Sequence, residues 1–423
     1  MPEEGMSIVQ AMTEARRCLM CADAPCACNC PAGVDARLFI RKIRFENMAG
    51  AVRSLRRANV LAGSCARICP TGSLCGKGCL AAGLSRPIDI GGLQRFVMDW
   101  ERERGMIEPA VPSVDGARVA VVGSGPAGLG CAAELAVRGH RVTVFERDET
   151  LGGMLRQCIP SWRLPTEVVD FDIEFIRKLG VEFLPGQTMD ENKKFFAGGF
   201  NAVFLATGLT RTRGGDLIGA KTPGVMQALE VLRASKLGEP LDFGKRAIVI
   251  GGGDTALDAA RTARRSGAEC VLLYRRTQRE MPAYPNEVDE AWNEGVEFYF
   301  RVIPRAVVGE ERVKGVRCVR IRWHKPMPGM PPAYDVEGSE FVVSCDSVIV
   351  ATGQGPESTF GLRTSENGLI AVDKESMMTS EPGVFAGGDL VFGGGTAARA
   401  VGMGKLAAIR IDDYLRQGAG RKA

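Results

Sequence analysis

The stretch ARVAVVGSGPAGLGCAAELAVRGHRVTVFERDE, residues 117–149, contains the pattern that decides the fold. An apolar strand runs into Gly123, Gly125 and Gly128, which form G-x-G-x-x-G at the start of a helix, and a second apolar strand follows. Such glycines let the backbone approach a pyrophosphate at the positive N-terminus of the helix. Glu146 stands at the end of the second strand, at the position where a carboxylate accepts hydrogen bonds from the ribose hydroxyls. This stretch therefore predicts a parallel βαβ unit that binds a dinucleotide.

A second unit of the same kind occupies residues 245–280, KRAIVIGGGDTALDAARTARRSGAECVLLYRRTQRE. Its three fingerprint positions hold Gly251, Gly253 and Ala256. The second strand of this unit ends in Arg275 and Arg276, where the first unit has its glutamate. Because arginine pairs with a 2′-phosphate and a carboxylate repels it, this unit is predicted to bind a nicotinamide dinucleotide, with NADPH favoured over NADH.

Two further strands end in Ala-Thr-Gly, VFLATGL (203–209) before the second unit and VIVATGQ (348–354) after it. Near the end of the sequence, GVFAGGDLVFGGGTAARAVGMGKLAAIRIDDYL (383–415) places Asp389 after a strand and Thr396 at the start of a long helix. A helix N-terminus there would stabilise negative charge on the pyrimidine ring of a reduced flavin. The candidate cofactor-binding residues from these segments are Thr207, Gly208, Thr352, Gly353, Asp389 and Thr396.

Nine of the fourteen cysteines lie in two clusters between Cys18 and Cys79. The first cluster reads C-x2-C-x4-C-x-C-x-C-P and ends at Pro31, and the second reads C-x3-C-P-x4-C-x3-C and begins at Cys65. Short spacings closed by Cys-Pro are typical of ferredoxins with two iron-sulfur clusters, in which the last cysteine of one motif binds the other cluster. The pattern predicts a pair of iron-sulfur sites within a helical, cysteine-rich N-terminal segment.

Zinc and disulfides are the alternatives for these cysteines. Zinc sites take four ligands at regular spacing and often use histidine, but the two histidines, His140 and His324, lie far downstream. Disulfides are favoured in small secreted domains, and the opening MPEEGMSIVQ lacks the features of a secretory signal. No apolar run reaches the ~18 to 20 residues that span a bilayer, and a net charge of +4 is too small to indicate nucleic acid. We therefore expect a cytoplasmic protein with no nucleic-acid partner and no membrane span.

The order of these features resembles the glutamate synthase small-subunit family over nearly the whole chain. The matching elements are the cysteine-rich segment, GSGPAG, LGGMLRQCIPSWRLP (151–165), GGGDTALD, YRR and AGGD. The chain is especially similar to the N-terminal half of dihydropyrimidine dehydrogenase and to the stand-alone flavoprotein subunit of its bacterial counterpart. In dihydropyrimidine dehydrogenase a glutamine replaces a cysteine as a cluster ligand, and Gln94 stands at that position in RPIDIGGLQRF (86–96).

The resemblance implies two 4Fe-4S clusters with interleaved ligands. One would be held by Cys18, Cys21, Cys26 and Cys79. The other would be held by Cys30, Cys69, Cys75 and Gln94. Cys28 and Cys65 are left over as non-ligands, with Cys65 the main rival to Gln94. The alternative for Gln94 is a plain exposed helix residue.

The resemblance also implies the fold: an α/β flavoprotein of the disulfide-reductase type with two dinucleotide-binding domains, preceded by an all-α ferredoxin-like domain. The expected order is a helical domain with both clusters (1–112), the first part of an FAD-binding domain (113–242), an NAD(P)H-binding domain (243–352) and the second part of the FAD-binding domain (353–423). Gly153 is expected at the FAD site. Cys158 stands where relatives commonly have glycine, and no closely spaced cysteine pair follows Cys79, which argues against a disulfide reductase.

These parts predict an electron-transfer subunit. NAD(P)H gives up a hydride, iron-sulfur clusters accept single electrons, and FAD does both. Hydride transfer to a flavin needs no catalytic side chain, and Glu287 and Glu290 are expected on a solvated helix face. A partner oxidoreductase would carry the substrate site: a pyrimidine dehydrogenase, a glutamate synthase or a 2-oxoacid oxidoreductase, with electron flow in either direction. The alternatives are a self-contained NAD(P)H-dependent reductase and a redox-sensing scaffold.

Overall fold

The computed structural model describes residues 5–111, 113–189, 196, 198–212, 217–323 and 333–418. The elements up to residue 210 are α1 (Ile8–Arg16), α2 (Pro25–Cys28), α3 (Ala36–Arg44), α4 (Met48–Ala58), α5 (Ala62–Ile68), α6 (Ile90–Arg104), β1 (Arg118–Val122), α7 (Pro126–Val137), β2 (Arg141–Phe145), α8 (Met154–Gln157), α9 (Thr166–Lys178), β3 (Glu182–Leu184) and β4 (Ala202–Leu205).

The elements after residue 210 are β5 (Arg211–Thr212), β6 (Val225–Gln227), α10 (Ala228–Leu237), β7 (Arg246–Ile250), α11 (Asp254–Arg265), β8 (Glu269–Tyr274), α12 (Pro285–Asn293), β9 (Val296–Phe300), β10 (Val302–Val308), β11 (Gly315–Trp323), β12 (Ala333–Asp335), β13 (Phe341–Ser344), β14 (Ser347–Val350), β15 (Gln354–Gly355), β16 (Val384–Ala386), α13 (Asp389–Phe392) and α14 (Ala397–Arg416). Short 3-10 turns occupy Thr71–Ser73, Gly76–Gly78, Leu80–Gly83 and Gln278–Glu280.

The cysteine-rich segment folds as helices that share one apolar core. Four of these helices start at a polar side chain that accepts a backbone N–H of the first turn, which satisfies a donor that the helix leaves unpaired. These N-caps are Ser7, Asp35, Asn47 and Asp89. Phe39, Leu55 and Leu93 are fully buried in the core. Several cysteines pack against its edge, namely Cys18, Cys26, Cys30, Cys75 and Cys79.

The first sheet is entirely parallel, in the order β16-β4-β1-β2-β3. Val121 in β1 lies between Val144 in β2 and Phe204 in β4, and all three are buried. Helix α14 packs along α7 at glycine positions: a Cβ on Gly404 would lie 2.0 Å from the carbonyl oxygen of Ala127. This approach brings the start of α14 to the edge at which β1 and β4 end.

A second parallel sheet has the order β6-β14-β7-β8-β9, and α11 connects β7 with β8. Val249 in β7 lies between Leu272 in β8 and Ile349 in β14. Antiparallel strands follow β9 along the chain, with β11 pairing β10, β12 and β13. This antiparallel sheet was not predicted from the sequence.

The chain divides into two compact units. One comprises Met1–Arg156, Ser161–Thr210 and Gly355–Ala423, and the other comprises Gln157–Pro160 and Arg211–Gln354. The first unit holds the cysteine-rich helices and the first parallel sheet, and the second holds the other parallel sheet and the antiparallel strands. The four domain bounds given above stay a prediction. None of the helices in the described ranges is both long and apolar enough to cross a membrane.

Candidate functional site

The first glycine fingerprint forms a tight turn between β1 and α7. Gly123 has φ +101°, and a Cβ there would lie 2.6 Å from the carbonyl oxygen of Ala206. A Cβ on Gly128 would lie 1.9 Å from the carbonyl oxygen of Gly123, so the helix sits directly on the turn. Gly125 is the N-cap of α7, and no atom of the described residues beyond its chain neighbours lies within 4 Å of its Cβ position. The turn therefore leaves open space at the helix N-terminus, which fits a pyrophosphate.

Glu146 is buried and held at the end of β2 by the same turn. The backbone N–H and the hydroxyl of Ser124 both donate to Glu146 Oε2, at 2.8 and 2.5 Å, and the N–H of Asp148 donates to Oε1 at 3.0 Å. Ser124 Oγ also accepts from the N–H of Gly152 at 2.9 Å. Gly153 follows with φ +53°, and its Cβ position lies 2.9 Å from Gly125 Cα. The predicted residues Glu146 and Gly153 thus meet at the fingerprint turn, and Ser124 is a contact that the sequence analysis missed.

The other flavin-site candidates lie at the carboxyl ends of neighbouring strands. Thr207 and Gly208 follow β4, and Thr207 Cα lies 3.3 Å from the Cβ position of Gly123. Asp389 begins α13 directly after Gly388, whose Cβ position is 2.7 Å from the Cβ of Ala127 in α7. Parallel strands that end at one edge form the crevice in which such sheets bind ligands.

Asp389 and Thr396 provide the polar groups at the start of the last two helices. Burial raises the pKa of Asp389 to about 6, although the Arg399 guanidinium and the N–H of Gly395 lower it. Thr396 is the N-cap of α14, and its hydroxyl accepts from the N–H of Arg399 at 3.1 Å. The helix N-terminus expected from the sequence is therefore present at Thr396, and the Cβ position of the preceding Gly395 lies 3.8 Å from Asp389 Oδ1.

The second fingerprint forms an equivalent turn between β7 and α11. Gly251 has φ +152°, and a Cβ there would lie 2.5 Å from the carbonyl oxygen of Ala351. Ala256 is fully buried at the third position, where its methyl group is 3.1 Å from the Cβ position of Gly251. Gly253 caps α11. Thr352 and Gly353 follow β14 beside this turn, so the predicted residues form a second cradle at the N-terminus of a helix.

Arg275 and Arg276 follow β8 next to this cradle. Arg275 is exposed and Arg276 is half-buried. Burial raises the pKa of the Tyr274 phenol, whereas the positive charges of Arg276 and Arg275 lower it. Thr277 and Glu280 form a capping box that fixes the turn after the arginines, and the Tyr274 hydroxyl donates to the Glu280 carbonyl oxygen at 2.7 Å. Arg275 and Arg276 therefore lie at the end of β8, where an arginine would bind the 2′-phosphate of a coenzyme ribose.

The first predicted ligand set lines one open cavity. Its thiols are Cys18, Cys21, Cys26 and Cys79. Burial raises the pKa of the Cys18 and Cys26 thiols, and the nearby Cys79 raises it further. The N–H of Ile88 donates to Cys79 Sγ at 3.3 Å. A cavity that gathers four thiols and offers an N–H to one sulfur fits a 4Fe-4S cluster.

A second group of thiols lies in the same helical segment. A hydrogen bond with Cys65, burial, and the charges of Cys65, Cys30 and Cys75 raise the pKa of Cys69 well above its usual value. Burial raises the pKa of Cys75 to about 12, and Cys30 adds to this shift. Gln94 is buried in α6, where its Nε2 donates to the Ala62 carbonyl oxygen at 2.8 Å. Cys65 therefore lies beside this group, and the choice between Cys65 and Gln94 as a ligand stays a prediction.

Two family models match long segments of the chain. A family model described as pyridine nucleotide-disulphide oxidoreductase matches residues 117–404. The chain belongs to this family. A second model, described as dihydropyrimidine dehydrogenase domain II with a 4Fe-4S cluster, matches residues 2–106. The family assignment confirms the predicted oxidoreductase, with FAD, a nicotinamide coenzyme and 4Fe-4S iron as cofactors, whereas the number of clusters stays a prediction.

Similar proteins are named as parts of several different enzymes. The chain is 38% identical to the beta subunit of an NADP(+)-dependent formate dehydrogenase of Moorella thermoacetica, and the match covers 93% of this chain but only 60% of that protein. It is 36% identical to the NAD-dependent dihydropyrimidine dehydrogenase subunit PreT of Escherichia coli K12, covering 96% and 94% of the two chains. It is 34% identical to the glutamate synthase [NADPH] small chain of Halomonas elongata, covering 96% and 91%. The predicted resemblance is thereby confirmed.

Solved structures confirm the predicted fold class. FprA of Mycobacterium tuberculosis in complex with NADPH has a TM-score of 0.62 at 18% identity, covering 73% of this chain and 87% of that one. Thioredoxin reductase of T. acidophilum has a TM-score of 0.55 at 21% identity, covering 70% and 97%. At these identities the likeness concerns the fold alone.

Proposed function

We propose that the chain is an electron-transfer subunit that exchanges electrons between NAD(P)H and a partner oxidoreductase, through FAD and two 4Fe-4S clusters. The observation that carries the proposal is that one compact unit contains both cysteine groups and the first fingerprint turn. A Cβ on Gly402 in α14 would lie 2.0 Å from the carbonyl oxygen of Pro31, which follows Cys30. Helix α14 therefore contacts the residue that directly follows Cys30, a predicted ligand of the second cluster.

Each part of the chain has a defined task in this proposal. When bound, FAD supplies the exchange between a two-electron hydride and single electrons. Gly123, Gly125 and Gly128 hold its pyrophosphate, Glu146 orients its ribose, and the N-terminus of α14 stabilises negative charge on its ring. The cysteine sets predicted above bind the clusters. The second unit binds the coenzyme, and its arginines favour NADPH.

The substrate site would lie on the partner. The three relatives named above are subunits or chains of enzymes with different substrates, which supports a module that serves several partners. Candidate partners are a pyrimidine dehydrogenase, a glutamate synthase or a 2-oxoacid oxidoreductase, to which the Moorella relative adds a formate dehydrogenase. We place the complex in the cytoplasm, where reducing conditions keep cluster cysteines available as thiolates.

The isolated chain, purified without oxygen, is expected to contain about eight iron and eight sulfide atoms and one FAD, because eight ligands hold two cubes. It should reduce artificial acceptors with NAD(P)H but convert no pyrimidine, 2-oxoacid, formate or glutamine with 2-oxoglutarate. Metal analysis and steady-state assays measure both. Stoichiometric zinc would contradict the cluster assignment, and turnover of any of these substrates would favour a self-contained reductase. Gln94→Ala and Cys65→Ser then decide the eighth ligand, since only the true ligand alters one cluster's EPR signal.

Arg275→Ala is expected to weaken NADPH selectively, by roughly 10- to 150-fold in binding, because a charge-assisted contact to a phosphate contributes about 1.5 to 3 kcal/mol. Stopped-flow reduction of the flavin by NADPH and by NADH measures the preference. Raising the salt concentration should reduce the difference, since Arg275 is exposed. Arg312→Ala, at an exposed arginine in the same unit, is the control. An equal loss with both coenzymes would show that Arg275 does not recognise a 2′-phosphate.

A further inference from the structure

Two arginines of α3 hold the loop that carries the first cysteines. Arg37 Nη1 donates to the carbonyl oxygens of Ala22 and Cys21, at 2.8 and 3.2 Å. Arg44 Nη1 donates to the carbonyl oxygen of Cys18 at 3.4 Å. The two arginines are seven residues apart, about two helical turns, and therefore lie on one face of α3. Neither residue was singled out in the sequence analysis.

Arg37 also lines the cavity of the four thiols Cys18, Cys21, Cys26 and Cys79. Among the described residues that line this cavity, Arg37 is the one with a permanent charge. Its side chain is 38% exposed, so water screens the charge only in part. The nearest carboxylate is Asp35, whose Oδ2 lies 3.4 Å from Arg37 Nη2 and whose Oδ1 caps α3 by accepting from the N–H of Leu38.

We propose that Arg37 sets the reduction potential of the cluster bound by the Cys18 group, and that Asp35 moderates its effect. The proposal rests on the function proposed above, because it requires a cluster in this cavity. A cluster becomes more negative when it accepts an electron, so a fixed positive charge stabilises the reduced form and raises the potential. The N–H of Ile88 on Cys79 Sγ acts in the same direction. Arg37 is thus a positioning residue for the loop and an electrostatic residue for the cluster.

The test is an EPR-monitored redox titration of the anaerobically purified full chain. In Arg37→Gln, the ratio of reduced to oxidised cluster at the wild-type midpoint should fall about tenfold, which is a shift of 59 mV for a one-electron couple. In Asp35→Asn, the shift should have the opposite sign, because the moderating charge is gone while asparagine still caps the helix. Arg41→Gln changes an exposed arginine of the same helix that does not line the cavity, and should leave the potential unchanged.

The outcomes separate this inference from the proposed function. Unchanged potentials in both Arg37→Gln and Asp35→Asn, with full iron content, would overturn the inference and leave the electron-transfer function intact. Shifts of the same sign in both variants would also overturn it. If Arg37→Gln loses about half of its iron, the result with Asp35→Asn decides alone. A higher midpoint potential in Asp35→Asn would support the inference, and an unchanged potential would overturn it. A wild-type chain that binds no cluster would instead overturn the proposed function itself.

Discussion

Arg56→Met is expected to lower the free energy of unfolding of the first compact unit by about 3 to 5 kcal/mol. Removing one partner of a buried ion pair leaves unpaired charges behind. Arg56 Nε donates to Glu101 Oε2 at 3.0 Å, and Nη1 donates to Asp172 Oδ1 at 2.5 Å. All three side chains are at most 3% exposed. The guanidinium also stacks over the Phe175 ring at 4.8 Å. Methionine fills a similar volume but leaves two carboxylates buried without a counter-ion.

Thermal and denaturant unfolding of the full chain measure this effect. Arg57→Met is the matched control, since Arg57 is the exposed neighbour of Arg56 on α4 and its replacement should change the free energy of unfolding by less than about 0.5 kcal/mol. Limited proteolysis should cut Arg56→Met faster than the control. Equal stability of the two variants would mean that the buried triad contributes nothing to the fold.

Valine substitutions at two glycines of α14 are expected to affect different steps. One should weaken FAD binding, and the other should slow electron transfer from the flavin to the clusters. In Gly404→Val the side chain collides with α7 at the Ala127 carbonyl oxygen, 2.0 Å from the Cβ position. Overpacking of this kind costs about 1 to 3 kcal/mol. If the collision displaces the start of α7 at the first fingerprint turn, this cost corresponds to a loss of roughly 5- to 150-fold in FAD affinity. In Gly402→Val the side chain collides instead with the Pro31 carbonyl oxygen, which is 2.0 Å from the Cβ position. We therefore expect the loop that contains Cys30 and Pro31 to move.

The two variants control for each other. Gly404→Val should be purified with less FAD per chain, measured by absorbance of the released flavin. Gly402→Val should keep its FAD and its rate of flavin reduction by NAD(P)H in stopped flow, whereas the reduction of its clusters, followed by EPR after rapid freezing, should slow. Normal cluster reduction in Gly402→Val would show that the contact with Pro31 does not set the path between the two sites.

The local patterns of the sequence were sufficient to predict the two nucleotide-binding turns. Gly123 and Gly251 each precede a helix and follow an apolar strand, and a glycine is required there because the turn needs a positive φ and a close backbone approach. The parallel pairing of β1 with β2 and of β7 with β8 follows from the same βαβ pattern, whereas the positions of β4, β16, β6 and β14 do not. Cys18 and Cys79 could be paired only through the resemblance to a family, because their spacing of 61 residues contains no local signal.

Contacts between distant segments could not be predicted. Arg56 and Asp172 are 116 residues apart, and each alone has the pattern of an ordinary solvated charge. The prediction that Glu287 and Glu290 form a solvated face was wrong for Glu287, whose side chain is 12% exposed and pairs with the buried Arg261 at 3.2 Å. Glu290 also pairs with Arg261, at 2.8 Å, but its side chain is 35% exposed. Ser124 had no signal of its own, since its role depends on the fold that places Glu146 beside it. Strand pattern alone also did not reveal the antiparallel sheet that follows β9.

Helix α14 determines which parts of the chain open together. Its 20 residues extend about 30 Å. In its first half the helix contacts Pro31 at Gly402 and then reaches Lys405, whose Nζ donates to the Ala58 carbonyl oxygen at 2.6 Å. The same helix packs along α7. We therefore expect local fraying of α14 to expose backbone amides beside the first parallel sheet and to remove support from the loop at Pro31 in one event. On this basis the cysteine-rich helices and the first parallel sheet are expected to exchange their amide hydrogens as one cooperative unit, or foldon.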